Sequence, residues 1–323
     1  MRIILFILIA ILPGLAAAKT TEPSQPVKHV IFITLDGIRW QDMFYNKHWM
    51  PKLWHGYAKN AVIYGEPGSN REMRVAARIP YSLPSYQSMM AGVATSCMDN
   101  DCGRLKMQTF PEALVKKAGL KRSEVASISS WEVMDDAYES QLGTAFSNHG
   151  TRPMHDPDTF TTDDVMMKLN KQQVRNYPGD DTRWDKYTLA QALYYYKKYQ
   201  PRFLWISFGD ADDYAHEGNY KAYRKTFKLY DDAIDQVFMA MKKLHRDENT
   251  MVIITTDHGR GLGKDWLEHE PSMPSASQGF AFVFNGKLEN GEKHGNIYRY
   301  SHLSIRPTIE KVFGLHNSVR KKG

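Results

Sequence analysis

The sequence predicts an α/β fold in which a central, largely parallel sheet is covered by helices on both faces. The segment Met251–Thr256 is apolar and β-branched, which is typical of a buried strand. The segment Val30–Leu35 is also continuously apolar, the pattern of a strand buried on both faces. Each segment is followed by an Asp and a glycine turn, at Asp257 and Asp36. Because the carboxyl ends of parallel strands lie at one edge of a sheet, we expect these side chains to meet there.

The other elements follow from the same periodicities and from turn residues. Further strands are predicted at Val125–Ser129, Arg202–Phe208 and Phe280–Phe284. Helices are predicted at Phe110–Ala118, Tyr187–Tyr199 and Tyr220–His245, and from Ile305 to a stop at Gly314.

Residues 148–185 are polar and rich in Asp, Pro and Thr, which indicates an insertion that overhangs the active site. A short helix is expected inside it, near Val165–Asn170. Trp131 lies before this insertion. It could belong to the core or line the rim of the site, and the usual burial of large aromatic side chains favours the core.

Residues 1–18 are expected to be a secretory signal peptide. Arg2 is a positive n-region, Ile3–Leu15 is an apolar core, and Ala16-Ala17-Ala18 provides a small-residue cleavage site. The apolar core is shorter than the roughly 20 residues that a spanning helix needs, which favours cleavage over an uncleaved membrane anchor. We therefore expect a periplasmic or secreted mature protein without a transmembrane segment, in which residues 19–323 form one domain.

The formal net charge of +6 is spread along the chain. A small basic cluster at Arg320–Lys322 is more typical of a solvated tail than of a nucleic-acid patch, so we expect no binding to a nucleic-acid duplex. A mildly basic surface favours anionic substrates. The sequence does not indicate an oligomeric state.

The chain has two cysteines, Cys97 and Cys102, separated by four residues. In an oxidising compartment such a pair most simply forms a local disulfide. A metal site is the alternative, but no partner ligands lie close to the cysteines in sequence. We expect the disulfide to shape one loop.

The segment Arg78–Gly92 contains a helix start at Pro84, which suits a first helical turn, and a helix end at Gly92. Ser82 precedes Pro84 and has two competing interpretations. It could cap the helix, or it could be a nucleophile at a helix N-terminus that stabilises an anion.

Carboxylate and imidazole side chains recur beside the predicted strand ends. Asp257 and His258 are adjacent, and Asp212 and His216 are four residues apart, which places them on one face of a helical turn. His269 lies in the loop after the strand that carries His258, with His294 and His302 as rivals in a later loop. This combination suits a divalent metal such as zinc or manganese.

Six motifs then occur in a familiar order: LDG, a Ser two residues before a Pro, DDYAH, TTDHGRG, WLEH and RPTIEKVFG. Together they resemble the alkaline phosphatase superfamily, and within it the branch of nucleotide pyrophosphatases and phosphodiesterases. The resemblance covers nearly the whole mature chain. It implies an alkaline-phosphatase-like three-layer sandwich and two divalent metal ions, usually zinc, with manganese as the alternative.

The resemblance also implies roles for individual residues. One metal would be held by Asp36, Ser82, Asp257 and His258, and the other by Asp212, His216 and His269. Ser82 would be the catalytic nucleophile. The branch commonly has Thr at that position and Asn after the Pro, where this chain has Ser82 and Ser85. Ser85 and Tyr86 are the expected substrate-binding residues.

The expected function is hydrolysis of a small anionic phosphate ester, foremost a diester, through a phosphoseryl intermediate. Three alternatives stay open. A sulfatase would need Arg four residues after the modified residue, where this chain has Tyr86. A phosphomonoesterase would need a cation for the extra charge, for which Arg78 is a candidate. A catalytically inactive metal- or ligand-binding protein is the third, and the intact ligand set argues against it.

Overall fold

The computed structural model describes residues 26–152, 163–173 and 181–315. Its main sheet has seven strands, in the spatial order β2-β8-β7-β1-β6-β4-β5. These strands are β1 His29–Leu35, β2 Ala61–Tyr64, β4 Val125–Ser129, β5 Phe146–His149, β6 Phe203–Phe208, β7 Thr250–Thr255 and β8 Ala281–Phe284. The five strands from β7 to β5 are parallel, and β8 and β2 pair antiparallel at one edge.

A second sheet is small and lies in the order β3-β10-β9. Its strands are β3 Arg71–Arg74, β9 Glu292–His294 and β10 Ile297–Ser301. The helices are α1 Trp40–Tyr45, α2 Ser82–Ala91, α3 Phe110–Lys116, α4 Met134–Tyr138, α5 Asp164–Gln173, α6 Asp185–Tyr199, α7 Asp210–His216, α8 Tyr220–Lys243 and α9 Ile305–Val312. A π-helical turn spans Lys52–Tyr57.

The main sheet separates two apolar cores, because alternate side chains of each strand point to opposite faces. On one face Ile31 and Ile33 of β1 join a cluster with residues of α6 and α8, such as Tyr195 and Tyr230. On the other face Phe32 joins residues of α2, α3 and α9. This confirms the predicted three-layer arrangement with a largely parallel central sheet and helices on both faces.

The register of the central strands brings their carboxyl ends together. Thr34 of β1 is aligned with Ser207 of β6 on one side and with Thr255 of β7 on the other. The residues that follow these three strands therefore emerge side by side at one edge of the sheet.

The polar insertion differs from the expected boundaries. Asn148 and His149, placed in the insertion by composition, end the edge strand β5, where both side chains are buried. The helix expected near Val165–Asn170 is present as α5. At the other end of the insertion, Asp185 begins helix α6. The signal peptide expected at residues 1–18 and the basic cluster at Arg320–Lys322 lie outside the described residues.

Helix α2 begins at Ser82, with Tyr81 as its N-cap residue, whereas the sequence offered Ser82 as the cap. The Ser82 hydroxyl does not cap the helix and points to other partners, described below. At the C-terminal end Gly92 adopts a left-handed conformation with φ of 70°, as predicted from a glycine in that position.

Within the described ranges, no helix is long and apolar enough to cross a membrane.

Cys97 and Cys102 form a disulfide with a Cα–Cα distance of 5.5 Å. A disulfide that closes so short a loop is worth about 2 kcal/mol in the chain-entropy model. We predict that replacing both cysteines by Ser lowers the free energy of unfolding in urea by about that amount, without abolishing folding. Mass spectrometry of the non-reduced protein should show the cross-link. Alkylation of both thiols without reductant would contradict it.

Candidate metal centre and active site

The first cluster of candidate ligands forms where β1 and β7 end. Asp36 and Asp257 follow these adjacent strands, and His258 comes directly after Asp257. The Nε2 atom of His258 lies 3.3 Å from Oδ2 of Asp257 and 3.6 Å from Oδ1 of Asp36. The Ser82 hydroxyl is 3.1 Å from the same nitrogen and 3.4 Å from Oδ1 of Asp36. Four potential ligand atoms thus converge.

The second cluster is built by helix α7, which follows β6, and by the loop after β7. Asp212 and His216 are one turn apart, with 3.2 Å between Asp212 Oδ2 and His216 Nε2. The Nε2 atom of His269 is 3.1 Å from that of His216. The two clusters adjoin, because the rings of His258 and His269 stack with 3.9 Å between their centroids.

The turn at Gly37 is what allows the clusters to adjoin. Gly37 has φ of +63°, and its N–H donates to Oδ1 of Asp257 at 3.0 Å. A Cβ atom at this position would lie 2.2 Å from Oδ1 of Asp212. Glycine is therefore required both by the backbone conformation and by the close approach of Asp212.

Hydrogen bonds orient two of the three histidines. Nδ1 of His258 is 2.9 Å from the carbonyl of Gly259, and Nδ1 of His269 is 2.8 Å from the carbonyl of Pro80. Since a carbonyl only accepts, each Nδ1 carries the proton and each Nε2 keeps its lone pair for the cluster. Such second hydrogen bonds are usual for metal-binding histidines.

Burial and charge set the protonation of the first cluster. Burial, followed by the nearby carboxylates of Asp257 and Asp212, raises the pKa of Asp36 well above its ordinary value. Burial and Asp212 raise the pKa of Asp257 to about 7. Burial lowers the pKa of His258 to about 4, so this ring is neutral at pH 7. The cluster is therefore short of positive charge.

Asp212 is different because it has a cationic neighbour. Burial alone would raise its pKa, but the Arg260 guanidinium, together with His216, lowers it well below its ordinary value. Arg260 is fully buried and contacts Oδ1 of Asp212 and the carbonyl of Leu267. Arg260 is not among the site residues predicted from the sequence, although it belongs to the TTDHGRG motif.

These residues fit divalent metal ions. The ligand-atom separations of 3.1 to 3.6 Å match the roughly 3.3 Å between neighbouring ligands of a tetrahedral ion with bonds of about 2.0–2.1 Å. Oδ2 of Asp257 is buried without a hydrogen-bond donor. Clustered carboxylates and neutral imidazoles are the donor set that zinc accepts.

A cavity of about 260 Å³ opens beside Ser82 and the two clusters. Its other lining residues come from four separate parts of the chain: Asn100, Ser130, Trp131, Asp181, Thr182, Gly209 and Asp213. Asn100 sits in the disulfide loop, and its Oδ1 accepts the N–H of Leu83 at 3.0 Å. An amide whose oxygen accepts in this way still carries two N–H donors, and Asn100 is part of the cavity lining.

Comparison with known proteins identifies the family. The family model described as Sulfatase matches residues 28–309. The chain belongs to the sulfatase family. This family shares its fold with the alkaline phosphatase superfamily, which confirms the superfamily resemblance seen in the motifs. The match does not distinguish the phosphodiesterase branch.

Three solved structures share the fold of this sulfatase-family protein. A 2-O GAG sulfatase is 15% identical, with a TM-score of 0.57, and the match covers 92% of this chain and 73% of that one. The phosphonate monoester hydrolase from Silicibacter pomeroyi is 14% identical, with a TM-score of 0.57 and coverage of 92% and 75%. The TAB5 alkaline phosphatase, in a mutant with bound Mg, is 14% identical, with a TM-score of 0.54 and coverage of 90% and 99%.

A curated relative is the 2,3-bisphosphoglycerate-independent phosphoglycerate mutase of Antithamnion sp. It is 21% identical over 211 residues, which is 65% of this chain. The chain spans only 37% of the length of that relative.

Several side chains of this sulfatase-family protein lie elsewhere than the sequence analysis expected. Ser85 and Tyr86 are fully buried in α2, and neither lines the cavity, so the substrate-binding role expected for them does not fit their positions. The Tyr86 hydroxyl instead donates to Oδ2 of Asp36 at 3.0 Å. Trp131, favoured as a core residue, is half-buried and lines the cavity. Arg78 is exposed and is not part of the lining.

The two alternative histidines, His302 and His294, lie outside both ligand clusters. His302 is buried, and its Nε2 lies 3.0 Å from the carbonyl of Thr256, directly before Asp257. His294 is in the exposed strand β9, near Glu292. Of the three later histidines, His269 is the one that joins a ligand cluster.

Asp257→Asn should change stability in opposite directions with and without metal. The raised pKa of Asp257 makes metal-free folded protein lose stability as the pH rises from about 4 through 7, because only the unfolded chain ionises freely there. At pH 8 in EDTA the variant should therefore be more stable than the wild type, by about 1–3 kcal/mol. With excess zinc it should be less stable, because a ligand is lost.

Urea unfolding in the two buffers measures both effects. Asp265→Asn, an exposed carboxylate in the loop between the two ligand groups, is the matched control and should change neither value. A variant that is destabilised equally in EDTA and in zinc would show that Asp257 has only a structural role.

Proposed function

We propose that the protein hydrolyses a phosphodiester, with Ser82 as the nucleophile. The observation that carries this proposal is the position of the Ser82 hydroxyl, within 3.4 Å of Asp36 and His258 and at the edge of the cavity. Ser82 is also the first residue of the ten-residue helix α2, where backbone N–H groups and the helix dipole favour an anion.

The chemistry consists of two displacements at phosphorus. The Ser82 oxygen forms a bond to phosphorus while the bond to one alcohol oxygen breaks, and that alcohol leaves with a proton. Water then forms a bond to phosphorus while the bond to Ser82 breaks, which returns the proton to the serine and releases a monoester. Divalent ions bound at these residues would supply Lewis-acid stabilisation of the attacking and leaving oxygens and would lower the pKa of a serine hydroxyl.

The protein's own residues would hold the ions and orient the substrate. Asp36, Asp257 and His258 would hold one ion beside Ser82, and Asp212, His216 and His269 would hold the other. We propose zinc for both, with manganese as the alternative. The free NH₂ group of Asn100 is suited to donate to a phosphoryl oxygen, the role that the sequence analysis gave to Ser85.

The lining of the cavity favours a diester over a monoester. Among the described residues of the lining, none is Lys or Arg. A monoester carries a second negative charge, for which this lining offers no cationic side chain. A diester has one charge on phosphorus and can be accommodated by the ions alone.

A sulfatase is the second candidate, favoured by the family match. Formylglycine sulfatases carry an Arg four residues after the modified residue. In this chain Tyr86 occupies the position of that Arg, and its hydroxyl donates a hydrogen bond to Asp36. Assays with an aryl sulfate, and the mass of the peptide that contains Ser82, separate the two candidates.

We further propose that the protein acts outside the cytoplasm, as the expected signal peptide and the disulfide support. An oxidising compartment would keep Cys97 and Cys102 paired.

Ser82→Ala should reduce the turnover of an aryl phosphodiester by several orders of magnitude, because the covalent step is lost. Its content of bound zinc should change little, because the carboxylates and imidazoles remain. Steady-state release of p-nitrophenolate and elemental analysis measure the two quantities.

Ser88→Ala is the matched control in the same helix, since the Ser88 hydroxyl donates to the carbonyl of Pro84 at 2.7 Å and is not part of the cavity lining. It should retain near-wild-type turnover. An Ser82→Ala variant as active as this control would refute the nucleophile assignment.

A further inference from the structure

The disulfide lies in a long connection that follows helix α2, the helix that begins with Ser82. Residues 92–109, all of them among the described residues, join α2 to α3 without a helix or strand of their own. Inside this connection the disulfide loop, Cys97–Cys102, encloses four residues, of which Met98, Asp99 and Asp101 are exposed. A surface segment of this kind has few packing contacts that fix the position of a side chain.

The two ends of the disulfide loop differ in burial. Cys97 is buried and belongs to the same apolar core as Leu105, whereas Cys102 is exposed. The cross-link therefore ties the exposed end of the loop to a residue that is fixed in the core. The residue after the loop is held as well, because the side-chain amide of Gln87 in α2 donates to the carbonyl of Gly103 at 2.7 Å.

Asn100 is the member of the disulfide loop that reaches the active site. It lines the same cavity as Ser82, and its Oδ1 accepts the N–H of Leu83, the next residue, at 3.0 Å. One hydrogen bond is worth about 1 kcal/mol net, whereas ordering the backbone of a single residue costs about 1–2 kcal/mol. The bond to Leu83 alone is therefore too weak to hold the loop in one conformation, and the disulfide supplies a further constraint.

We propose that the disulfide is a positioning element of the active site, which holds the Asn100 side chain beside Ser82 so that its amide can donate to a phosphoryl oxygen. This inference rests on the proposed phosphodiesterase function. A donor stabilises a transition state only when it lies within hydrogen-bond distance of the developing charge, and a displacement of about 1 Å can reduce a rate by about 100-fold. The cross-link thus affects turnover, although neither cysteine is among the described residues that line the cavity.

A double-mutant cycle tests the coupling between the disulfide and Asn100. The open-loop variant combines Cys97→Val, which keeps an apolar side chain at the buried position, with Cys102→Ser. For the zinc-loaded protein and bis(p-nitrophenyl) phosphate, we expect kcat/KM to fall about 100-fold in Asn100→Ala and about 10-fold in the open-loop variant, mainly through kcat. When Asn100→Ala is already present, opening the loop should cost less than about 3-fold more, because the donor that the loop positions is gone.

Hydrogen exchange gives a second readout that does not depend on activity. The amide proton of Leu83 donates to Asn100, so under native conditions it should exchange at least about 5-fold faster in the open-loop variant than in the wild type. Amides of the central strand β6 report global unfolding and serve as the reference. If the open-loop variant does not fold, Cys97→Ala with Cys102→Ala takes its place in both measurements.

Met98→Ser is the matched control, because Met98 is an exposed residue inside the same loop and its replacement leaves the disulfide intact. It should keep the wild-type kcat/KM and the wild-type exchange rate at Leu83. Losses that multiply in the cycle, full activity of Asn100→Ala, or unchanged exchange at Leu83 in the open-loop variant would overturn the inference alone. A Ser82→Ala variant as active as the wild type would overturn the proposed function and the inference with it.

Discussion

Three aspartates, Asp36, Asp212 and Asp257, are held together at one edge of the sheet, and the rest of the site depends on this constraint. Like charges at such distances in a buried place cannot all ionise without compensation, which explains the raised pKa values of Asp36 and Asp257. Of these three carboxylates, Arg260 forms an ion pair with Asp212 and balances its charge. The neutral rings of His258 and His269 add lone pairs but no charge. Divalent ions would satisfy all of these groups at once.

A buried hydrogen-bond network around Asp185 holds the helix that carries Asp212 in place. Asp185 accepts hydrogen bonds from the Ser130 hydroxyl, the Tyr230 hydroxyl and the N–H groups of Gly209 and Asp210. This carboxylate therefore joins the start of α7, which carries Asp212, to α6 and α8. Ser130 and Gly209 also line the cavity, so the same carboxylate supports part of the cavity wall.

Much of the fold could be predicted from sequence, because buried parallel strands are continuously apolar and end in distinctive turns. Because the carboxyl ends of parallel strands lie at one edge of a sheet, the sequence predicted that Asp36 and Asp257 lie close together. The four-residue spacing predicted the pairing of Asp212 with His216. The edge strands β2 and β5 and the small second sheet were not predicted. These strands are short, and β5 and β3 also contain few apolar residues.

The residues that were missed or misplaced from the sequence depend on contacts between distant segments. Asn100 reaches the cavity only because the disulfide loop folds against the start of α2. Trp131 lines the cavity because the segment around Thr182 bridges to it. Tyr86 turns towards Asp36 from inside α2, so proximity in sequence to Ser82 did not place it in the cavity. Local patterns carry no information about such pairings.

The central claim is that the two ligand clusters hold two divalent ions. Its most direct test is a crystal structure of protein purified without chelator, with anomalous difference maps above and below the zinc edge. The account predicts two peaks, roughly 3.5–4 Å apart, one among Asp36, Asp257 and His258 and the other among Asp212, His216 and His269. A single peak, or ions bound elsewhere while both clusters stay empty in active protein, would contradict it.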